Sequence, residues 1–283
     1  MADSSGGQGV AGHRVAVIGD VAGHLDELRG ELRRLGADPT SGRLPDDLTV
    51  IQLGDLVHRG PASDAVVALV DRYLTTQVGQ WIQLVGNHEA QYLREPAFSW
   101  PERLAPESIE TMRGWWAHGQ MQAAVSVHTP TEDFLVTHAG LTADYWGDIL
   151  GGLADVDQVA AALNSFIGTH EAVLFRAGQM LGGGRGDPAA GPVWAAAATE
   201  LVPGWLDTTL PFSQVHGHTS LFDWQAQLFF AGDDVRRRTR LDQDAKHAVV
   251  TLPGGRIIGV DPGHGRRARR PWRSWEIVGA TRR

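Results

Sequence analysis

Strand-forming runs that alternate with helix-forming ones constrain this chain more than any other feature. Residues 14–19, 49–53, 80–85, 133–137, 213–216 and 256–260 are short, apolar and rich in β-branched side chains, so they read as buried strands, with a further pair at 225–230 and 247–252. Between the first three lie amphipathic patterns. Leu25, Leu28, Leu32 and Leu35 recur at helical spacing, and Ser63 or Asp64 can cap a second helix carrying Val66, Val67, Val70 and Leu74. This alternation predicts an α/β fold, with a parallel or mixed sheet covered by helices. A chain of 283 residues, 42% of them apolar, can bury a sizeable core.

Residues 1–12 are rich in Gly and Ser and read as a disordered tail, 13–265 as a single domain, and 266–283 as a basic C-terminal tail. Segments 99–124 and 155–186 are largely helical in pattern and carry no motif, so they are expected to cap one end of the sheet and to set specificity. Residues 182–186 form a glycine-rich loop.

Polar residues fall immediately after the strands. The first ends in Gly19-Asp20-Val21-Ala22-Gly23-His24, the second in Gly54-Asp55-Leu56-Val57-His58-Arg59-Gly60, the third in Gly86-Asn87-His88-Glu89. The next two end in His138-Ala139-Gly140 and Gly217-His218-Thr219. In open α/β sheets the carboxyl ends of the strands face one crevice, so these loops are expected to converge. Carboxylates, an amide and imidazoles suit a hard-to-borderline cation. The chain has no cysteine and 12 histidines, which excludes disulfides, thiol catalysis and thiolate metal sites and leaves nitrogen and oxygen as the only ligand atoms. Two aspartates, one asparagine and two or three histidines are enough for two divalent cations sharing a carboxylate, a pair that clamps a phosphoryl group and activates water.

The ordered blocks Gly-Asp, Gly-Asp-x-Val-x-Arg-Gly, Gly-Asn-His-Glu, His-Ala-Gly and Gly-His-Thr run from Gly19 to Thr219 and resemble the calcineurin-like metallophosphoesterase family, in particular its phosphoprotein-phosphatase branch. Residues 259–263, Gly-Val-Asp-Pro-Gly, resemble that family's last strand end. The resemblance implies two mixed β-sheets packed as a sandwich flanked by helices, and a hydrolase that attacks phosphate esters with metal-activated water. It implies that Asp55 bridges two metals, that Asn87, His138 and His218 complete one of them, and that Asp20 belongs to the other. It makes His88 the proton donor to the leaving group and Arg59 the phosphate grip, with Arg185 or Arg176 as a second arginine. Manganese is the expected cation, with iron or zinc as alternatives.

Two departures from the pattern stand out. Ala22 occupies the place of a ligand histidine of the first metal, and His24, two residues on, is the candidate replacement. His58 stands where the family carries an aspartate that pairs with the catalytic histidine. That imidazole is expected to contact substrate phosphate, and Glu89 or Asp261 to supply the missing acid. Because of Ala22, the alternative to an enzyme is a degenerate homologue that binds a phosphorylated ligand without efficient turnover.

The expected substrate is a phosphorylated small molecule, a nucleotide or a phosphoprotein. The stretch from Arg256 onward holds eight arginines against Asp261 and Glu276, while the net charge of the whole chain is −8. An acidic body with a basic end does not suit long nucleic acids. No run of 18 apolar residues and no signal-like start appear, so a cytoplasmic location without membrane contact is the expectation.

Overall fold

A computed structural model of the chain describes residues 13–182, 184 and 186–280; the expected N-terminal tail, 1–12, lies outside the described residues. In one sheet β1 (Arg14–Ile18), β2 (Leu48–Gln52), β3 (Trp81–Leu84) and β4 (Met121–Gln122) run parallel in that order. In the other, β5 (Ala124–His128), β6 (Asp133–Thr137) and β7 (Ser213–His216) lie side by side. A two-residue hairpin, β8 (Phe222–Asp223) with β9 (Leu228–Phe229), stands apart. Beyond β7 the second sheet continues through β12 (Gly255–Gly259) and β11 (His247–Leu252) to β10 (Thr239–Asp242). Within it β6, β7 and β12 are parallel neighbours, and the other pairings are antiparallel. The chain returns at β13 (Trp275–Val278), which closes the first sheet antiparallel to β1.

Side chains alternate across each strand, so one face of each sheet meets the other. Val15, Val17, Ile51, Leu53, Ile82 and Leu84 of the first sheet pack on Val125, Val127, Phe134, Val136, Val215 and Ile258 of the second. The opposite face of the first sheet, with Ala16, Ile18 and Val50, is covered by Leu28 and Leu32 of α1 (Leu25–Arg34) and by Val66, Val67 and Val70 of α2 (Ser63–Thr76). Outside the second sheet, Val250, Leu252 and Ile257 pack with Leu201, Val202 and Trp205. The two-sheet sandwich flanked by helices is therefore the observed architecture. Each of these aliphatic residues contributes on the order of 2 kcal/mol by leaving water.

The segment 99–124 is a helix only over α4 (Pro106–Ala117), against α2 and α3 (Asn87–Leu93), before the chain enters β4 and β5. In 155–186 the helix α5 (Val156–Ser165) lies along β5 and β6 as a flanking layer. The basic tail expected over 266–283 is not a tail as far as 278. Trp275–Val278 pairs residue by residue with Arg14–Val17, and Trp272 and Ile277 are buried. Only four residues make this edge strand, and the arginines before it mask its alternation. Of the strand expected at 225–230, only β9 forms. The Asp223 carboxylate accepts from the backbone N–H of Gln225 and Ala226, which turns the chain there.

Candidate metal centre

Every parallel strand of the core ends on the same edge of the sandwich. β1 delivers Asp20, β2 Asp55, β3 Asn87 and His88, β6 His138, and β7 His218. The loops are zipped together by backbone hydrogen bonds: Ala22 N–H donates to the Asp55 carbonyl at 2.7 Å, Gly23 N–H to Leu56 at 2.7 Å, and Gly60 N–H to Ala22 at 2.8 Å. Such close approach demands glycine. A Cβ on Gly54 would lie 2.3 Å from Gly86 N, and Gly54 has φ +101°. Among the described residues seven non-glycines have positive φ, and five of them, Ala22, Asp55, His58, Arg59 and His218, lie in these loops. The surrounding hydrogen bonds hold a backbone strain of roughly 1 kcal/mol or more per residue where the side chains must converge.

Glu89 holds the second and third loops together. Its buried carboxylate accepts from the N–H of Asp55 at 2.7 Å, Leu56 at 2.9 Å and Gly86 at 3.0 Å. Burial, with the Asp55 charge, raises its pKa to about 8 against the pull of these donors. The structure gives Glu89 to the loop and does not bring it to His88 as a substitute acid.

Ligand atoms of Asp55, His138 and His218, all buried, lie within 4.8 Å of one another. His138 Nδ1–H donates to the Leu53 carbonyl at 2.9 Å, and burial lowers its pKa to about 3, so the ring is neutral and Nε2 presents a lone pair to the centre. The outer atom of the Asn87 amide stands at the focus, 3.2 Å from both Asp55 carboxylate oxygens, 3.2 Å from His138 Nε2 and 3.0 Å from His218 Nδ1. An amide nitrogen has two protons, too few for four acceptors. An amide oxygen there is one more ligand around a shared cation. The donor set of carboxylate, amide and two neutral imidazoles fits a divalent ion.

Beside it lies a second acidic group. Asp20 Oδ1 accepts from His218 N–H at 3.0 Å, and its carboxyl is in hydrogen-bonding contact with that of Asp55. Burial, then the charges of Asp261 and Asp55, push the Asp20 pKa well above the usual range. Burial raises Asp55 to about 7, against the His88 N–H and the Arg59 charge. Three buried carboxyls share one nearby guanidinium, a deficit of positive charge that bound cations would remove. Asp261 accepts from Gly263 N–H at 2.7 Å and bears on Asp20, so it too is not placed as a partner for His88.

His24 does not join either group. Its Nε2 is 2.8 Å from the Gly265 carbonyl and its ring packs edge-on against His264, with centroids 5.1 Å apart. His58, expected at the phosphate, is fully buried; Nδ1 lies 2.6 Å from His88 Nδ1 and Nε2 lies 2.6 Å from Tyr92 Oη. Arg59 is exposed, has no hydrogen-bond or ion-pair partner among the described residues, and rests 5.4 Å over the Trp100 ring. Arg176 is engaged with Asp187 at 2.6 Å, and Arg185 lies outside the described residues. A cavity of about 470 Å³ opens beside the centre, lined by Arg59, His218 and Asp261 together with Phe222, Trp224 and Ala197. Sequence reasoning missed Tyr92, Phe98 and Trp100, which wall in the His58–His88 pair. Tyr92 stands four residues after His88, a helical spacing that puts both on one face.

A family model described as calcineurin-like phosphoesterase matches residues 13–165. The zinc-dependent endopolyphosphatase of Saccharomyces cerevisiae is 29% identical over 157 residues, which is 48% of this chain and 44% of the yeast protein, so the chain spans less than half the length of that relative. A solved structure of a mutant cold-active protein tyrosine phosphatase aligns over 88% of this chain and 78% of its own, with 18% identity and a TM-score of 0.49. A protein serine/threonine phosphatase from Saccharomyces cerevisiae aligns over 89% of this chain and 68% of its own at 14% identity and a TM-score of 0.47. With a family model matching more than half of its residues, and with that family's strand-end blocks gathered at one edge of the sandwich, the chain belongs to the calcineurin-like phosphoesterase family.

Proposed function

We propose that the protein is a metal-dependent phosphoesterase that hydrolyses phosphate esters of small or macromolecular substrates. The observation that carries this reading is the convergence of Asp55, Asn87, His138 and His218 on one point, with neutral imidazoles and an amide whose two protons are too few for the four acceptors around it. That set would hold one divalent cation. Asp20 with Asp55 would hold the second, which lacks an imidazole because Ala22 cannot coordinate. Manganese is the first choice, and the zinc dependence of the yeast relative keeps zinc beside it. Cations bound there supply charge neutralisation on the phosphoryl oxygens and an activated water.

The chain's own residues do the rest. Arg59, free and exposed, grips two phosphoryl oxygens with its planar fork. His88 Nε2, 3.8 Å from Asp55 Oδ2, lies where it can protonate the departing oxygen. The apolar lining of the 470 Å³ cavity, Phe222 and Trp224, receives the organic part of the ester. The intact four-ligand set favours turnover over a binding-only homologue, and segments 99–124 and 155–186 remain the proposed determinants of specificity.

The test is hydrolysis of 4-nitrophenyl phosphate and bis(4-nitrophenyl) phosphate by protein loaded with Mn²⁺ or Zn²⁺, with metal content measured by mass spectrometry. Turnover with at least one tightly bound ion supports the reading; tightly bound metal without turnover leaves the binding-only homologue. Arg59→Ala is expected to lower kcat/KM by about 10- to 100-fold, the worth of a charge-assisted bidentate contact, mostly through KM. Steady-state kinetics at fixed metal occupancy checks this, and the melting temperature is expected to change little because Arg59 is exposed.

A further inference from the structure

The His58–His88 pair raises a question of proton placement that distance alone does not settle. Two imidazole nitrogens 2.6 Å apart need one proton between them, and which ring owns it decides where His88 carries its other proton. Two neighbours choose the same answer. At one end, His88 Nε2 faces the Asp55 carboxylate at 3.8 Å, which attracts an N–H and repels a lone pair. At the other, Tyr92 Oη is 2.6 Å from His58 Nε2, the only hydrogen-bond partner of that hydroxyl among the described residues, so the phenol proton is satisfied by donating to it. Trp100 stacks on the His58 ring at 5.4 Å and 17° and meets the His88 ring edge-on at 4.8 Å, which holds both planes.

We propose that Tyr92 and His58 are positioning residues for His88: Tyr92 Oη–H donates to His58 Nε2, His58 Nδ1–H donates to His88 Nδ1, and the His88 proton is kept on Nε2. A general acid at Nε2 needs that tautomer, and as the Nε2 proton passes to the departing oxygen the His58 Nδ1 proton passes to His88 Nδ1 and the Tyr92 Oη proton to His58 Nε2, so that neither ring is left anionic. This tyrosine–histidine pair thus fixes the His88 tautomer by donating to Nδ1, where a carboxylate would instead accept an N–H, and it explains why an imidazole at position 58 is turned inward. The inference rests on the phosphoesterase reading for its consequence, though not for its geometry.

Two measurements test it. In protein labelled with ¹⁵N-histidine and loaded with Zn²⁺, which is diamagnetic, long-range ¹H–¹⁵N correlation spectra at neutral pH should show His58 protonated on Nδ1 and His88 on Nε2. A His88 ring protonated on Nδ1 overturns the proposal, and no variant has to fold for this result. The second measurement compares leaving groups. Tyr92→Phe should lower kcat about tenfold for phenyl phosphate, whose phenol needs a proton, and less than about threefold for 4-nitrophenyl phosphate, which departs without one. In His58→Asn the amide N–H₂ stands where Nδ1 stood and donates without help, so adding Tyr92→Phe to it should cost nothing further. Equal losses on both esters, or additive losses in the double variant, assign Tyr92 a packing role and overturn the proposal. If the native chain hydrolyses neither ester, the phosphoesterase reading fails while the spectra still decide the tautomers.

Discussion

Asp55→Asn should abolish activity and empty the centre while leaving the fold in place. The carboxylate is the one group common to both candidate cation positions, with Asn87, His138 and His218 on one side and Asp20 on the other. Losing the shared charge removes transition-state stabilisation worth about 4 kcal/mol or more, a fall in kcat/KM of about 10³-fold or more. The isosteric amide still accepts the His88 N–H, now 3.0 Å from Oδ1, and the Glu89 clamp on the Asp55 backbone is untouched. It also relieves the repulsion with Asp20 and Asp261, so the metal-free variant should melt higher than the metal-free native protein. Activity, bound metal and melting temperature checked together separate this outcome from misfolding, which would lower the last. A variant that keeps its metal and half its activity would remove Asp55 from the centre.

The strands that build this site were legible because each is a β-branched run bounded by glycine and a polar block. Residues 133–137, 213–216 and 247–252 form strands with those bounds. The polar blocks were legible because a buried sandwich has no reason to place Asp, Asn and His after so many of its parallel strands unless they converge. Less was visible where one residue's role depends on a distant backbone group. His24 was a reasonable ligand by spacing, yet the Gly265 carbonyl, 241 residues away, takes its Nε2. Glu89 could equally have been an acid or an anchor until three backbone N–H groups were seen to face it.

His58 is the sharpest case. The departure from an aspartate was plain in the sequence, but its meaning required Tyr92 and Trp100, residues that fell in stretches without a motif. Trp275–Val278 was hidden for another reason: four residues of alternation are too short to stand out beside an arginine-rich run, and their burial comes from pairing with β1.

Removing bound metal should destabilise the protein more at pH 8 than at pH 6.5. Asp55 and Glu89 have folded-state pKa values raised to about 7 and about 8, above those of the unfolded chain, so the native state binds more protons and loses stability as pH rises through that range. The buried histidines work in the opposite direction. His58, His88 and His138 are lowered to about 3 and His216 to about 4, so their contribution grows with pH through the unfolded value near 6.5, by roughly 0.4 kcal/mol each between pH 6.5 and 8. They stay neutral with or without metal over that range, so in the difference between metal-loaded and metal-free protein they cancel, and the carboxyls should widen that difference by on the order of 2 kcal/mol, or several degrees in melting temperature, from pH 6.5 to pH 8. Cations at the centre neutralise Asp55 and weaken its repulsion with Glu89, so the metal-loaded protein should show little of this slope. Melting curves at both pH values, with chelator and with excess Mn²⁺ or Zn²⁺, check the difference. A gap between loaded and chelated melting temperatures no wider at pH 8 than at pH 6.5 would mean that these carboxyls reach solvent or a counter-charge once the metal leaves.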